Sequence, residues 1–129
     1  MANDKALWKV FSEFIRLRDS DERGFGKCFT CDFRGEWKRF DAGHGIGRQH
    51  KSVKFDEKNV HSQCKRCNGF EGGNQAIYKE EVNKKYGTQT WDELTLKSRQ
   101  VCKRAQVEID VMTEYYKKEV IKLKAKCVK

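Results

Sequence analysis

Two Cys-x-x-Cys pairs, Cys28/Cys31 and Cys64/Cys67, have 32 residues between them and constrain this chain more than any other feature. Each pair offers two soft sulfur ligands from one tight turn, and four thiolates complete the closed tetrahedral shell that zinc prefers. An ion held there ties two distant turns together, and such binding supplies on the order of 10–16 kcal/mol of apparent free energy in small zinc peptides. Paired cysteines also serve as redox motifs or disulfides. Redox motifs accompany a βαβ pattern, which this sequence lacks. The opening MANDKALWKVF is charged and has no cleavable apolar stretch, so a cytosolic protein with a structural zinc is expected. Four cysteines leave the ion no open position, so any chemistry has to come from other residues. Cys102 and Cys127 lie outside both pairs and read as ordinary thiols.

A staple matters here because the core is thin: apolar residues make up 37% of the 129, charged residues 36%. That length suits one domain, or a small domain with a helical appendage. No apolar run approaches the roughly 20 residues of a membrane helix, so no membrane partner is expected. The net charge is +9 and it is uneven. Residues 28–68 carry nine Lys/Arg against five Asp/Glu, and residues 99–129 carry nine against four. Basic excess confined to the cysteine region and the C-terminal segment fits a polyanionic partner, most simply nucleic acid. The plainer alternative is a soluble protein with a basic pI.

Residues 4–19 read as an amphipathic helix with Leu7, Phe11, Phe14 and Ile15 on one stripe and Asp4 as N-cap. A polar loop leads to the first knuckle. Glu36 to Phe40 reads as a short strand, residues 41–55 as irregular, and Asn59 to Gln63 as a second strand. A helix then begins near the second knuckle, is disturbed by Gly72-Gly73, and runs over 74–85 to a stop at Gly87. Thr90 and Glu93 have the spacing of a capping box, from which a long helix runs to about Lys126. Its stripe of Ala105, Ile109, Met112, Tyr116, Val120 and Leu123 is expected to pack on the domain or on a second copy. The expected organisation is an N-terminal helix (1–27) on a zinc-stapled core (28–87), followed by a C-terminal helical region (88–129) for dimerisation or DNA binding. The fold class is small α+β, mostly helical.

Between the knuckles lie all three histidines, His44, His50 and His61, within 18 residues. Asp41 stands three positions before His44, Asn59 five before Cys64, and Asn68 directly follows Cys67. The run Asn59-Val60-His61-Ser62-Gln63-Cys64-Lys65-Arg66-Cys67-Asn68 resembles the HNH, or His-Me finger, nucleases in its spacing. The segments LWKVFSEFIRLRD, DAGH, FDEKNVHSQCKRCN and GGN, spread over residues 7–74, resemble more closely the lambda NinG (Rap) family of phage recombination endonucleases.

The resemblance implies a zinc-bound ββα-metal core, treble-clef-like, with flanking helices. It also implies a Mg²⁺-dependent endonuclease that cuts branched recombination intermediates such as Holliday junctions and D-loops, with Mn²⁺ as a substitute. A phage-encoded protein of this kind would act in the host cytoplasm. By resemblance His44 is the general base, Asn59 braces the loop and orients that base, and Asn68 is a magnesium ligand. Asp41 is the expected carboxylate ligand, although the HNH nucleases carry theirs immediately before the His, where this chain has Gly43. The chemistry suits the residues: a near-neutral imidazole takes a proton from water, and a carboxylate with an amide oxygen suits a hard divalent cation. Arg48, Lys51, Lys54, Lys65 and Arg66 are expected phosphate contacts that position DNA without reading sequence. His50 reads as a further phosphate contact; His61, Glu71 and Asn74 are candidate accessories to the site, with a half-buried place as the alternative for His61. Symmetric cutting of a four-way junction needs two sites, so a homodimer is expected. The rival reading is a non-catalytic zinc module that binds nucleic acid.

Overall fold

The computed structural model describes residues 1–70 and 72–127. Helix α1 spans Asp4–Arg18 and buries Leu7, Phe11, Phe14 and Ile15 as its stripe predicts, with Val10 and Leu17 beside them. Its N-cap is Asn3, not Asp4: the Asn3 side chain accepts the Ala6 N–H at 2.8 Å, and Asp4 occupies the first turn, where a carboxylate faces the positive end of the helix.

Strands β1 (Phe25–Lys27) and β2 (Arg34–Glu36) form a short antiparallel hairpin around the first knuckle. The strand expected at Glu36–Phe40 lies further on. Residues 37–39 make one 3₁₀ turn, and β3 is Phe40–His44, inside the stretch read as irregular. Its burial does not alternate, since Ala42 and Gly43 are both buried, and Gly43 has a packing reason: a Cβ there would stand 1.9 Å from the Gln63 side-chain oxygen. Strand β3 pairs antiparallel with β4 (Val60–Cys64), matching Phe40 with Cys64, Gly43 with His61 and His44 with Val60. All five β4 residues are buried, which explains why its pattern does not alternate. The four-residue helix α2 (Lys51–Lys54) sits in the connection.

After β4 the chain makes a wide π-helical turn, Arg66–Phe70, and then α3, Gln75–Tyr86. Gly72 and Gly73 at positive φ and Asn74 in the left-handed region reverse the chain between them. Gly87 ends α3 as expected. The expected long helix is two: α4 (Thr90–Ser98) and α5 (Gln106–Cys127). The capping box does not form, because Thr90 is already inside α4. Asn83 of α3 supplies the cap instead, accepting the Trp91 N–H at 2.9 Å.

The main core joins α1, the β3–β4 hairpin and α5. Tyr116 and Val120 are buried in it, with Ile109, Met112 and Leu123 packed alongside. The apolar stripe of α5 is therefore spent on α1 of the same chain, while Ala105 lies exposed ahead of the helix. A second cluster holds the cysteines with Phe40, and a third gathers Val53, Tyr78, Val82 and Leu94 from α2, α3 and α4. Among the described residues no helix is long and apolar enough to cross a membrane.

Candidate functional site

The two knuckles meet as their spacing predicts. The Sγ atoms of Cys28, Cys31, Cys64 and Cys67 all lie within 4.8 Å of one another, and Cys31 and Cys64 are 3.6 Å apart. A tetrahedral zinc with Zn–S near 2.3 Å sets its sulfurs about 3.8 Å apart, so the four thiols can hold such an ion. Backbone N–H groups point at the sulfurs: Thr30 and Cys64 at Cys28, Phe33 at Cys31, Cys67 at Cys64. Burial pushes the Cys28 thiol up, but the N–H groups of Cys64 and Thr30 and the Thr30 hydroxyl outweigh it and bring it down to about 7. Asn74, expected near the magnesium, instead donates to the Cys67 sulfur at 3.9 Å.

A second site lies on the other side of the hairpin end. A cavity of about 500 Å³ is lined by Asp41 and His44 from β3, Asn68 from the π-helical turn, Arg48 and Lys65, and Trp8 and Arg16 from α1. His44 is half-buried, its ring stacked on Trp8 with centroids 4.9 Å apart and planes at 21°. Its Nε2 lies 3.0 Å from the Lys54 carbonyl. A carbonyl only accepts, so Nε2 carries the hydrogen and Nδ1 is left with a lone pair. Burial, with help from the nearby Arg48 and Lys54 charges, pushes His44 down to about 4, although the bond to Lys54 works the other way. The imidazole is neutral at pH 7.

Asp41 accepts a hydrogen bond from the Asn68 amide at 3.1 Å and is ion-paired with Lys65. Strand and turn thus bring Asp41 and Asn68 together, 27 residues apart in sequence, with the amide NH₂ turned toward the carboxylate. An ammonium already stands on the carboxylate, so the position accepts positive charge, and a carboxylate with an amide oxygen suits Mg²⁺, which keeps several waters.

Asn59 is fully buried. It bonds both backbone groups of Ile46 and the Val53 carbonyl, bracing the loop that follows His44. It is not among the residues that line the cleft. His61 is a core residue, which corrects its reading as an accessory: it is 0% exposed, stacked 3.9 Å from Phe29, and bonded to the Tyr78 and Tyr86 hydroxyls. His50 lies exposed ahead of α2, off the cleft wall. Lys51 and Lys54 are near it, and Lys54 contributes its carbonyl to His44. Arg66 lines a different cavity, beside the cysteines. Glu71 lies outside the described residues. Sequence reasoning missed the α1 wall. Trp8, Ser12 and Arg16 recur at four-residue steps beside the core stripe and all line the cleft, a signal present in the sequence as a second helical stripe.

The model of the bacteriophage lambda NinG protein family matches residues 2–126. Protein ninG of Escherichia phage 933W is 32% identical over 93 residues, covering 70% of this chain and 43% of the relative. Protein ninG of Escherichia phage lambda and that of Salmonella phage P22 are each 31% identical, covering 70% of this chain and 42% of the relative. The chain therefore spans less than half the length of these curated relatives. No solved structure matches it. With nearly its whole length matched by one family model, the chain belongs to the bacteriophage lambda NinG family.

Proposed function

We propose that this chain is a DNA endonuclease of the HNH type, stapled by zinc at the four cysteines and served by Mg²⁺ in the cleft. The observation that carries the reading is the state of His44. Its Nε2 hydrogen is committed to the Lys54 carbonyl, and its neutral Nδ1 is the free nitrogen of a ring that lines the same cleft as Asp41 and Asn68. Such a nitrogen can take the proton from a water attacking phosphorus, although its depression to about 4 leaves it a weaker base than the near-neutral imidazole expected from the sequence. Asp41 and Asn68 would hold Mg²⁺, which when bound neutralises charge on the phosphate and the leaving oxygen. Arg16, Arg48 and Lys65 line the cleft and fix the phosphodiester backbone by charge. Trp8 and Asn59 hold the base in place from the ring face and from its loop. Preference for Holliday junctions and D-loops follows from the family resemblance. So does the homodimer, which would use a face of α5 other than the one spent on α1: Val107, Val111, Tyr115 and Ile121 are exposed there.

The test is cleavage of a four-way junction with Mg²⁺. His44→Ala should keep the fold and the zinc and lose cleavage by 10²-fold or more, the order typical of a general base. Equal cleavage by both proteins would remove His44 from the chemistry. One observation favours the second reading, a non-catalytic zinc module: Gly43 stands where the HNH nucleases carry a carboxylate, and Asp41 is already paired with Lys65. A folded wild type that binds the junction and never cuts it would decide for that module.

A further inference from the structure

Two cavities meet at Lys65. One is the cleft with His44. The other, about 820 Å³, opens beside the cysteine cluster and is walled by the first knuckle's exit and the start of the second. Its lining is mainly apolar, and the charged residues in it are Arg39, Lys65 and Arg66 against one carboxylate, Asp32; Lys65 is also ion-paired with Asp41 of the cleft. Phe33 gives it an aromatic wall, and that ring is held on several sides. Phe40 meets it edge-on at 5.5 Å, the Arg39 guanidinium lies 5.0 Å from its centroid, and its own N–H is bonded to the Cys31 sulfur. An aromatic ring with a guanidinium over it, in a cavity that two further cations line, is the combination that binds single nucleotides: the ring stacks a base and the cations take the phosphates. The volume lies within the range of ligand pockets.

We infer that this slot takes one unpaired nucleotide of DNA, its base against Phe33 and its phosphates on Arg39 and Lys65. A paired duplex keeps its base faces stacked inside, so only a branch, gap or end offers one without the cost of unstacking. The inference deepens the nuclease reading, since Lys65 joins the slot to the cleft and a strand lying in one continues into the other. It gives this chain its own residues for telling branched from continuous DNA.

The experiment reads binding without added Mg²⁺, so that it stands apart from cleavage. The zinc-loaded full chain is titrated, at one salt concentration, into a fluorescein-labelled single strand and into the fully paired duplex of the same sequence. Phe33→Leu keeps an apolar contact with Phe40 and removes the stacking ring. It should weaken single-strand binding about tenfold, the order expected for one stacked base, and leave duplex binding within about twofold. Phe33→Trp should restore the difference. If Phe33→Leu loses zinc, exposed Arg39→Gln decides by the same comparison. Equal weakening on both probes, no weakening on either, or no binding of the single strand by wild type overturns the slot. A slot that passes in a protein that never cleaves leaves the inference standing and removes the nuclease reading. Junction cleavage by a protein whose slot fails does the reverse.

Discussion

His44 and His61 sit close together on one hairpin and carry their ring hydrogens on different nitrogens, because their partners differ. His44 gives its Nε2 hydrogen to a carbonyl. At His61 the deciding atom is the Tyr78 hydroxyl, which reaches the Gly43 carbonyl at 2.7 Å and the Asn59 carbonyl at 3.1 Å and so spends its hydrogen there. Its oxygen must then accept from His61 Nδ1, and His61 Nε2 accepts from Tyr86 at 2.7 Å. Burial, with lesser contributions from Arg18 and Lys85, pushes His61 down to about 2. Between that value and the ordinary 6.5 the unfolded chain binds a proton that the folded chain refuses, so this contribution is whole above pH 6.5 and drains as the pH falls toward 2. The loss reaches roughly 1 kcal/mol by pH 5.5. Urea midpoints at pH 7.5 and 5.5 measure it, and His61→Gln, which does not titrate, should show a smaller drop than wild type. His44 answers to a different neighbour. Because burial is the main cause of its depression, Trp8→Ala should raise its titration toward 6.5, visible as an upward move of its imidazole resonance midpoint and of the acid limb of cleavage. At this scale the sequence was informative about His44, Asp41 and Asn68, whose spacing survives folding. It left His61 open between the site and the core, since only the cover laid on β4 by Tyr78 and Tyr86 shows that both faces are closed.

The elements were legible where one face meets one core. The α1 stripe is such a case. The Gly87 stop was legible too, and so was β4, displaced by one residue, although both its faces are closed. Two failures share a cause, the pull of partners distant in sequence. The run from 90 to 126 breaks because α4 and α5 serve different clusters: Leu94 packs with Tyr78 and Val82, whereas Tyr116 and Val120 pack with α1. A corner at 99–105 is needed, and Ser52 of α2 marks it by donating its hydroxyl to the Lys97 carbonyl at 2.6 Å. The α4 cap likewise comes from α3. Asn83→Ala should cost about 1 kcal/mol in urea unfolding, as loss of a capping side chain does, whereas Glu93→Ala, a partner in a capping box that never forms, should cost far less.

At the scale of the whole molecule the two knuckles fix the hairpin from one end while α1 and α5 grip it from the other. Phe40 stands against the cysteines at the start of β3, and Ala42 and Val60 stand in the main core two to four residues away from that end. The cleft lies between these supports: His44 and Asp41 belong to β3, Asn68 hangs from the second knuckle, and Trp8 comes from α1. The proposed zinc therefore governs the distance between Asn68 and Asp41 without touching either, and its loss acts on the site through the strand. Cys67→Ser, or chelation of the metal, should lower the thermal midpoint and abolish cleavage together, with zinc restoring both to the chelated wild type. The helical signal in circular dichroism should fall less than the activity, because the α1–α5 contact does not include the cysteine cluster. His44→Ala should leave midpoint, helicity and zinc content near wild type and remove cleavage alone. A chelated protein that keeps cleaving would separate the staple from the site and overturn the coupling argued from Phe40 and Asn68.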